Sequence, residues 1–179
     1  LSVFTKFKDS KEKGDSAEKK FVRICYAKGH SVKKATRFQD ANEHWDYEVT
    51  NNKTDKKFLV DVKAPKKISR SDYNSSSDKT WVEFKNVKGK PGWVKGKADF
   101  IAFEQDDHFL LVKRSVLYKW AKSKIEKNPL GKFVYANNSK DALYRLYRRQ
   151  DRPAEITSLI SIKDLKNDLV LGKSYTLFK

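Results

Sequence analysis

Cysteine is almost missing: Cys25 is the single one in 179 residues, so no internal disulfide can form. It falls in an apolar, helix-like stretch and reads as a packed core thiol. A reducing, cytoplasmic setting is the expectation for such a chain. Long apolar runs are missing too. None approaches the ~20 residues of a membrane span, so no membrane partner is expected. There is no signal-peptide pattern, and the first residue is Leu1 rather than methionine, as in a trimmed chain. No internal repeat is present, which argues against a solenoid or propeller. Acid is scarce beside base: 23 Asp and Glu face 40 Lys and Arg, leaving a net charge of +17.

That excess points toward polyanionic partners, nucleic acid first. Its alternative is a generic, lysine-rich solubility charge. The length suits one domain with a sizeable core. Within 1–179 we expect a flexible basic arm over 1–14, a core over 15–125 and a C-terminal extension with a basic strand over 126–179.

The most informative stretch runs from His44 to Lys67. Trp45 to Thr50 and Phe58 to Lys63 alternate with period two around the polar turn Asn51–Asp55, which predicts a β-hairpin. Tyr47 and Val49 share one face; Asp46, Glu48 and Thr50 share the other. On the second arm Phe58, Val60 and Val62 oppose Leu59, Asp61 and Lys63. A one-residue slip would set apolar against charged side chains, so burial fixes the register and puts Asp46 opposite Asp61 or Lys63.

Two carboxylates held side by side repel, and one is driven toward protonation unless they share a cation. Mg²⁺ suits such a site, because it takes one or two carboxylates with waters and substrate phosphate. A lysine at the rim would orient an attacking water or offset charge growing on a phosphate. The alternative is a solvated strand face with alternating charges.

Asp46 followed across a hairpin by Asp61-Val62-Lys63 resembles the PD-(D/E)XK nuclease superfamily. The resemblance spans roughly residues 15 to 120. Trp45 stands where many members have proline. Members carry this hairpin in a small α/β core, usually after a helix that holds a glutamate, and this chain offers Glu18. The resemblance implies that Asp46, Asp61 and the carbonyl of Val62 hold Mg²⁺, with Mn²⁺ able to substitute. It implies Glu18, Asp46, Asp61 and Lys63 as the catalytic set. The function implied is an endonuclease hydrolysing phosphodiester bonds, DNA being the commoner substrate, with a homodimer as one working unit. The competing readings are an RNA nuclease and a non-catalytic nucleic-acid-binding domain on the same fold. A small stand-alone nuclease suits a phage or mobile element acting in a bacterial host cell.

The rest of the chain supplies candidate partners for that site. A helix is predicted from Asp15 or Ser16 to Gly29, with Ala17, Phe21, Ile24 and Cys25 inward. Arg37 to His44 reads as a short strand and loop. Thr80 to Asn86 reads as a strand pairing with Phe58–Lys63, which would bring Glu83 near Asp61. Glu83-Phe84-Lys85 is itself an E-x-K sequence, so Asp61 with Glu83 and Lys85 forms a second candidate core. Otherwise Glu83 and Lys85 are a second ligand or a phosphate contact. Lys66, Lys67 and Arg70 begin a serine-rich loop suited to gripping phosphates. Lys88, Lys90 and Lys95 surround Trp93, which either stacks on a base or folds back as a lid on the core. Ala98–Phe103 and His108–Val112 form another hairpin, and a helix capped by Ser115 follows to Ile125. Ala142 to Arg149 is predicted as a strand whose Arg145, Arg148 and Arg149 either bind phosphate or pair with nearby acids. The fold expected is α/β, with a restriction-endonuclease-like core. Its mixed, mainly antiparallel central sheet would have five or six strands and be flanked by helices.

Overall fold

The computed structural model describes residues 3–69 and 71–179, with backbone alone for 3–10. Arg70, expected to grip phosphate, lies outside the described residues.

The chain opens with helix α1 (Val3–Ala27), then strand β1 (His30–Lys34), a π turn (Gln39–Glu43), β2 (Tyr47–Asn51), β3 (Lys56–Lys63) and β4 (Lys79–Lys85). A 3-10 turn (Trp93–Lys95) leads to β5 (Phe100–Glu104), β6 (Phe109–Lys113) and α2 (Arg114–Lys124). The last third adds β7 (Leu146–Arg149), β8 (Arg152–Ser161), α3 (Ile162–Asp168) and β9 (Tyr175–Phe178).

Six strands form the main sheet in the order β1-β2-β3-β5-β6-β9. Its neighbours are antiparallel except β3 and β5, which run parallel. The molecule is therefore mixed α/β with a mainly antiparallel multi-stranded sheet and helices. The β2–β3 hairpin has the register that burial requires, with Tyr47 opposite Val60 and Val49 opposite Phe58. Those apolar residues meet the α1 stripe Ala17, Phe21 and Cys25, four residues apart and all buried. Burial pushes the Cys25 thiol up to about 12, so it is an unreactive core group.

The opposite side of the sheet packs Ile101, Phe103, Leu110 and Val112 against Leu117 of α2, Val82 and Phe84 of β4 and Ile160 of β8. Here three expectations are corrected. β4 does not pair with β3. It forms a separate three-stranded sheet in the order β4-β8-β7, and β5 takes the place beside β3. Period-two alternation predicts a strand but leaves its partner open; Val82 and Phe84 are buried equally well facing the main sheet from above. The first helix begins at Val3, not at Asp15 or Ser16. One glycine, Gly14, costs a helix only about 1 kcal/mol, too little to end a run rich in Lys and Glu. The segment Arg37 to His44, expected as a short strand and loop, is instead helical and holds the π turn; the strand of this stretch, β1, lies earlier, at His30–Lys34.

The late hairpin β5–β6 and helix α2 lie as expected, although Lys113 rather than Ser115 occupies the helix N-cap. Among the described residues no helix is long and apolar enough to cross a membrane.

Candidate functional site

The site forms where the β2–β3 hairpin meets the smaller sheet. Asp46 lies one residue before β2 and is fixed through its backbone. Its N–H donates to the Val60 carbonyl (2.8 Å) and its carbonyl accepts from the Ala35 N–H (2.7 Å). Its side chain turns across the hairpin, where Oδ2 accepts the Val62 N–H at 2.7 Å. Asp61 and Lys63 are two apart on β3 and so share a face. Lys63 Nζ reaches Asp61 Oδ1 at 2.5 Å. Asp61 is only 2% exposed, and its Oδ2 has no hydrogen-bond partner.

A buried acceptor without a partner is costly unless a cation or water belongs there. Burial, and next the Asp61 carboxylate, push Asp46 up to about 8, against the pull of Lys63 and the Val62 N–H. Burial lowers Lys63, but Asp61 and Asp46 outweigh it and hold its ammonium above the ordinary lysine value. Asp46, Asp61 and Lys63 are thus brought together as the sequence predicts.

Glu18 approaches from α1. Its Oε2 accepts the Tyr47 hydroxyl (2.8 Å) and Lys34 Nζ (3.0 Å). Glu18 also adds to the rise of Asp46, so it stands at the rim of the carboxylate pair.

The second wall comes from the smaller sheet and the turn after it. The Trp93 N–H donates to Glu83 Oε1 at 3.4 Å, and the Trp93 ring lies under Lys63 Nζ, 5.1 Å from the centroid. Trp93 is 7% exposed and set edge-on to Phe103, so of its two expected roles it takes the lid; it is not offered to a base. Gly92 permits this approach: a Cβ there would sit 2.3 Å from the Glu83 carbonyl oxygen. Gly96 does the same on the other side of the turn, where a Cβ would be 2.6 Å from that of His44.

Burial raises the Glu83 carboxyl above its ordinary range. Glu155 adds to the rise, while the Trp93 N–H, Lys63 and Lys66 oppose it. Glu83 therefore belongs to the site, but from the facing sheet rather than from a strand beside Asp61. Lys85 does not accompany it. A register shift separates the two residues, and Lys85 is exposed with no ion pair among the described residues.

Glu155 was expected only as a partner for the arginines, and its Oε1 does lie 4.0 Å from Arg152; its place near the site was not foreseen. It lies on β8, 8% exposed, with Oε2 lacking a partner. The one available signal was an acid inside the otherwise strand-like run Ala154-Glu155-Ile156-Thr157. Lys66 stands among these acids. The residue as a whole is exposed, yet desolvation and then the Lys63 ammonium draw its amine below the usual lysine value, against Glu83, Asp61 and Glu155.

The remaining basic candidates divide. Lys88, Lys90 and Lys95 are exposed; Lys95 lies over the Tyr118 ring. Lys67 is half-buried, its carbonyl accepting from Trp81 Nε1. Two of the three arginines meet acids, and Arg148 meets a tyrosine instead. Arg145 bonds Glu126 from the turn before β7, Arg149 forks onto Asp151, and Arg148 lies over Tyr135 and bonds its hydroxyl. No group of three or more His, Cys, Asp or Glu side chains arranged for a metal occurs among the described residues.

Compared with protein families, with curated proteins and with solved structures, the chain matches none of them.

Proposed function

We propose that this protein is a metal-dependent nuclease of the PD-(D/E)XK type that hydrolyses phosphodiester bonds, DNA first. The observation that carries the reading is the unpartnered, buried Asp61 Oδ2 beside an Asp46 pushed up to about 8. Both suit a site that takes a cation. The order of elements supports it: a helix with Glu18, the β2–β3 hairpin, then β5 parallel to β3. A restriction-endonuclease-like core is our reading of that order.

The donor set fits Mg²⁺ or Mn²⁺. Asp46, Asp61 and the Val62 carbonyl would hold it, with waters and phosphate oxygens completing the shell, so three acidic side chains are not needed. Such an ion supplies Lewis-acid polarisation of the phosphate and a more acidic bound water. The chain's own residues do the rest. Asp61 and the Trp93 ring hold the Lys63 ammonium in one place, where it orients water and offsets charge growing on the phosphate. The Val62 N–H fixes the Asp46 carboxylate. Glu18 stands at the rim through Tyr47 and Lys34, and exposed Lys66, Lys88, Lys90 and Lys95 supply charge for the polyanion.

The test is a cleavage panel of duplex, single-stranded and branched DNA and of RNA, with Mg²⁺, with Mn²⁺ and with chelator. Metal-dependent cutting that disappears in Asp61→Ala is the expected result. Salt-sensitive binding without cutting under any metal would leave a binding module instead.

A further inference from the structure

A groove lies between α1 and β1, on the side of the main sheet away from Glu83 and Trp93. Its volume is about 480 Å³, and its walls include Lys19, Val22, Arg23, Tyr26, Val32 and Lys34, beside Tyr47. That volume is in the range of small-ligand sites, about 300–1,000 Å³. α1 has two stripes with different tasks. Ala17, Phe21 and Cys25 are in the core. Lys19, Val22, Arg23 and Tyr26, at spacings of three and four, line the groove.

Val22 packs against the core, but the other three residues of this second stripe are exposed. Tyr26 is 60% exposed and joins no ring pair among the described residues. Lys19 and Arg23 are like charges one turn apart, an unfavourable spacing, and neither forms an ion pair among the described residues. Lys34 is the exception, occupied by Glu18 and lying over the Tyr47 ring. The composition is an open phenol between valines, rimmed by two free cations. It matches a flat aromatic heterocycle with a phosphate on each side. The groove is also coupled to the carboxylates: Glu18 and Lys34 both interact electrostatically with Asp46.

We infer that this groove takes an unpaired nucleotide of the strand that enters the site. The base stacks on Tyr26 between Val22 and Val32, and flanking phosphates lie on Lys19 and Arg23. The inference rests on the nuclease reading and names its substrate class: nucleic acid with a single-stranded segment, such as a tail, flap or loop. A base kept in a duplex stack cannot enter the groove without the cost of unstacking.

The experiment measures binding in chelator, so that it does not depend on cutting. A blunt DNA duplex is compared with the same duplex carrying a single-stranded tail, by fluorescence anisotropy over a range of salt. The tail should tighten binding. Tyr26→Ala should remove about fivefold or more of that gain and leave blunt binding unchanged. Arg23→Ala should reduce the salt slope for the tailed substrate by about 0.7. A tail carrying 5-iododeoxyuridine should crosslink to Tyr26 on irradiation. Both side chains are exposed, and unchanged melting curves would confirm that the variants fold.

Wild-type binding of the tailed substrate by Tyr26→Ala, or crosslinks confined to other residues, would overturn the inference. So would a free mononucleotide that binds as tightly as the tail, which would make the groove an effector site. Tail recognition without cleavage under any metal would keep the groove and remove the nuclease reading; cleavage with neutral groove variants would do the reverse.

Discussion

Lys63 and Asp61 form a tight ion pair at 2.5 Å, and the same ammonium lies 5.1 Å from the centre of the Trp93 ring. The lysine is held by a carboxylate from its own strand and a ring from the opposite wall. The pair is lopsided, since Asp61 is almost wholly buried while Lys63 keeps some solvent access.

Removing one partner of such a pair strands the other. Lys63→Ala should abolish cleavage and destabilise the metal-free protein by about 3 kcal/mol, the low end for a broken buried pair because water can follow into the gap. Added Mg²⁺ or Mn²⁺ should restore most of that stability without restoring activity, since a divalent cation replaces the lost counter-charge and not the lost role. Urea unfolding with and without metal checks this. A variant that stays fully stable in chelator would mean that Asp61 does not depend on Lys63.

Asp46 predicts a pH dependence of unusual sign for a carboxylate. Its folded value, about 8, lies above the ordinary 3.8. Between those limits the folded protein holds a proton that the unfolded chain has released. The stability of the metal-free protein should therefore fall as pH rises from about 4 to about 8. Asp46→Asn should flatten that fall. Metal binding near neutrality should release roughly one proton, visible as a buffer-dependent heat in calorimetry. A metal-free stability curve unchanged by Asp46→Asn would show that Asp46 is ionised throughout.

Glu83 and Lys85 separate two versions of the site that share Asp61. Lys85→Ala should change stability by no more than about 0.5 kcal/mol, as for an exposed side chain with no ion pair, and should leave cleavage intact. Glu83→Gln should keep the fold and lower cleavage less than Asp61→Ala does, because Glu83 reaches the site from the other sheet. Loss of cleavage in Lys85→Ala to the level of Asp61→Ala would move the centre to the E-x-K pair.

The hairpin and its register were legible because an error of one residue would bury charge, which leaves a single arrangement. The α1 core stripe was legible for the same reason, at helical spacing. The partner of β4 was not. Thr80 to Lys85 alternates as any half-buried strand does, and its pairing with β8 is set by side chains more than 70 residues away in sequence, as Trp81 opposite Leu159 shows. The place of Glu155 near the site was lost with it, since β8 comes beside β4 only through that pairing. β1 was missed because His30-Ser31-Val32-Lys33-Lys34 has one aliphatic residue; its strand form comes from pairing with β2 at the sheet edge. The arginines near β7 looked available because charge density is legible in sequence and the acids that meet them are less so. Glu126, which takes Arg145, is 19 residues away.

Gly92 gives the last prediction. Its φ of −78° suits any residue, so a substitution there is opposed by space and not by backbone conformation. An added Cβ would press on the Glu83 carbonyl oxygen at 2.3 Å and on its Cγ at 2.8 Å. The carbonyl belongs to β4 and cannot rotate away, so the turn must lift and carry the Trp93 ring off Lys63. Gly92→Ala should cost about 1–3 kcal/mol, as other overpacking changes do. It should also lower cleavage at saturating metal more than a surface glycine substitution such as Gly14→Ala, where nothing lies within 4 Å of the new Cβ. Trp93 fluorescence supplies an independent readout: with the ring released from Lys63 and its cover, emission should shift to the red. An unshifted spectrum with normal cleavage would mean that the turn absorbs the methyl group elsewhere and that the contact between Trp93 and Lys63 does not depend on the glycine.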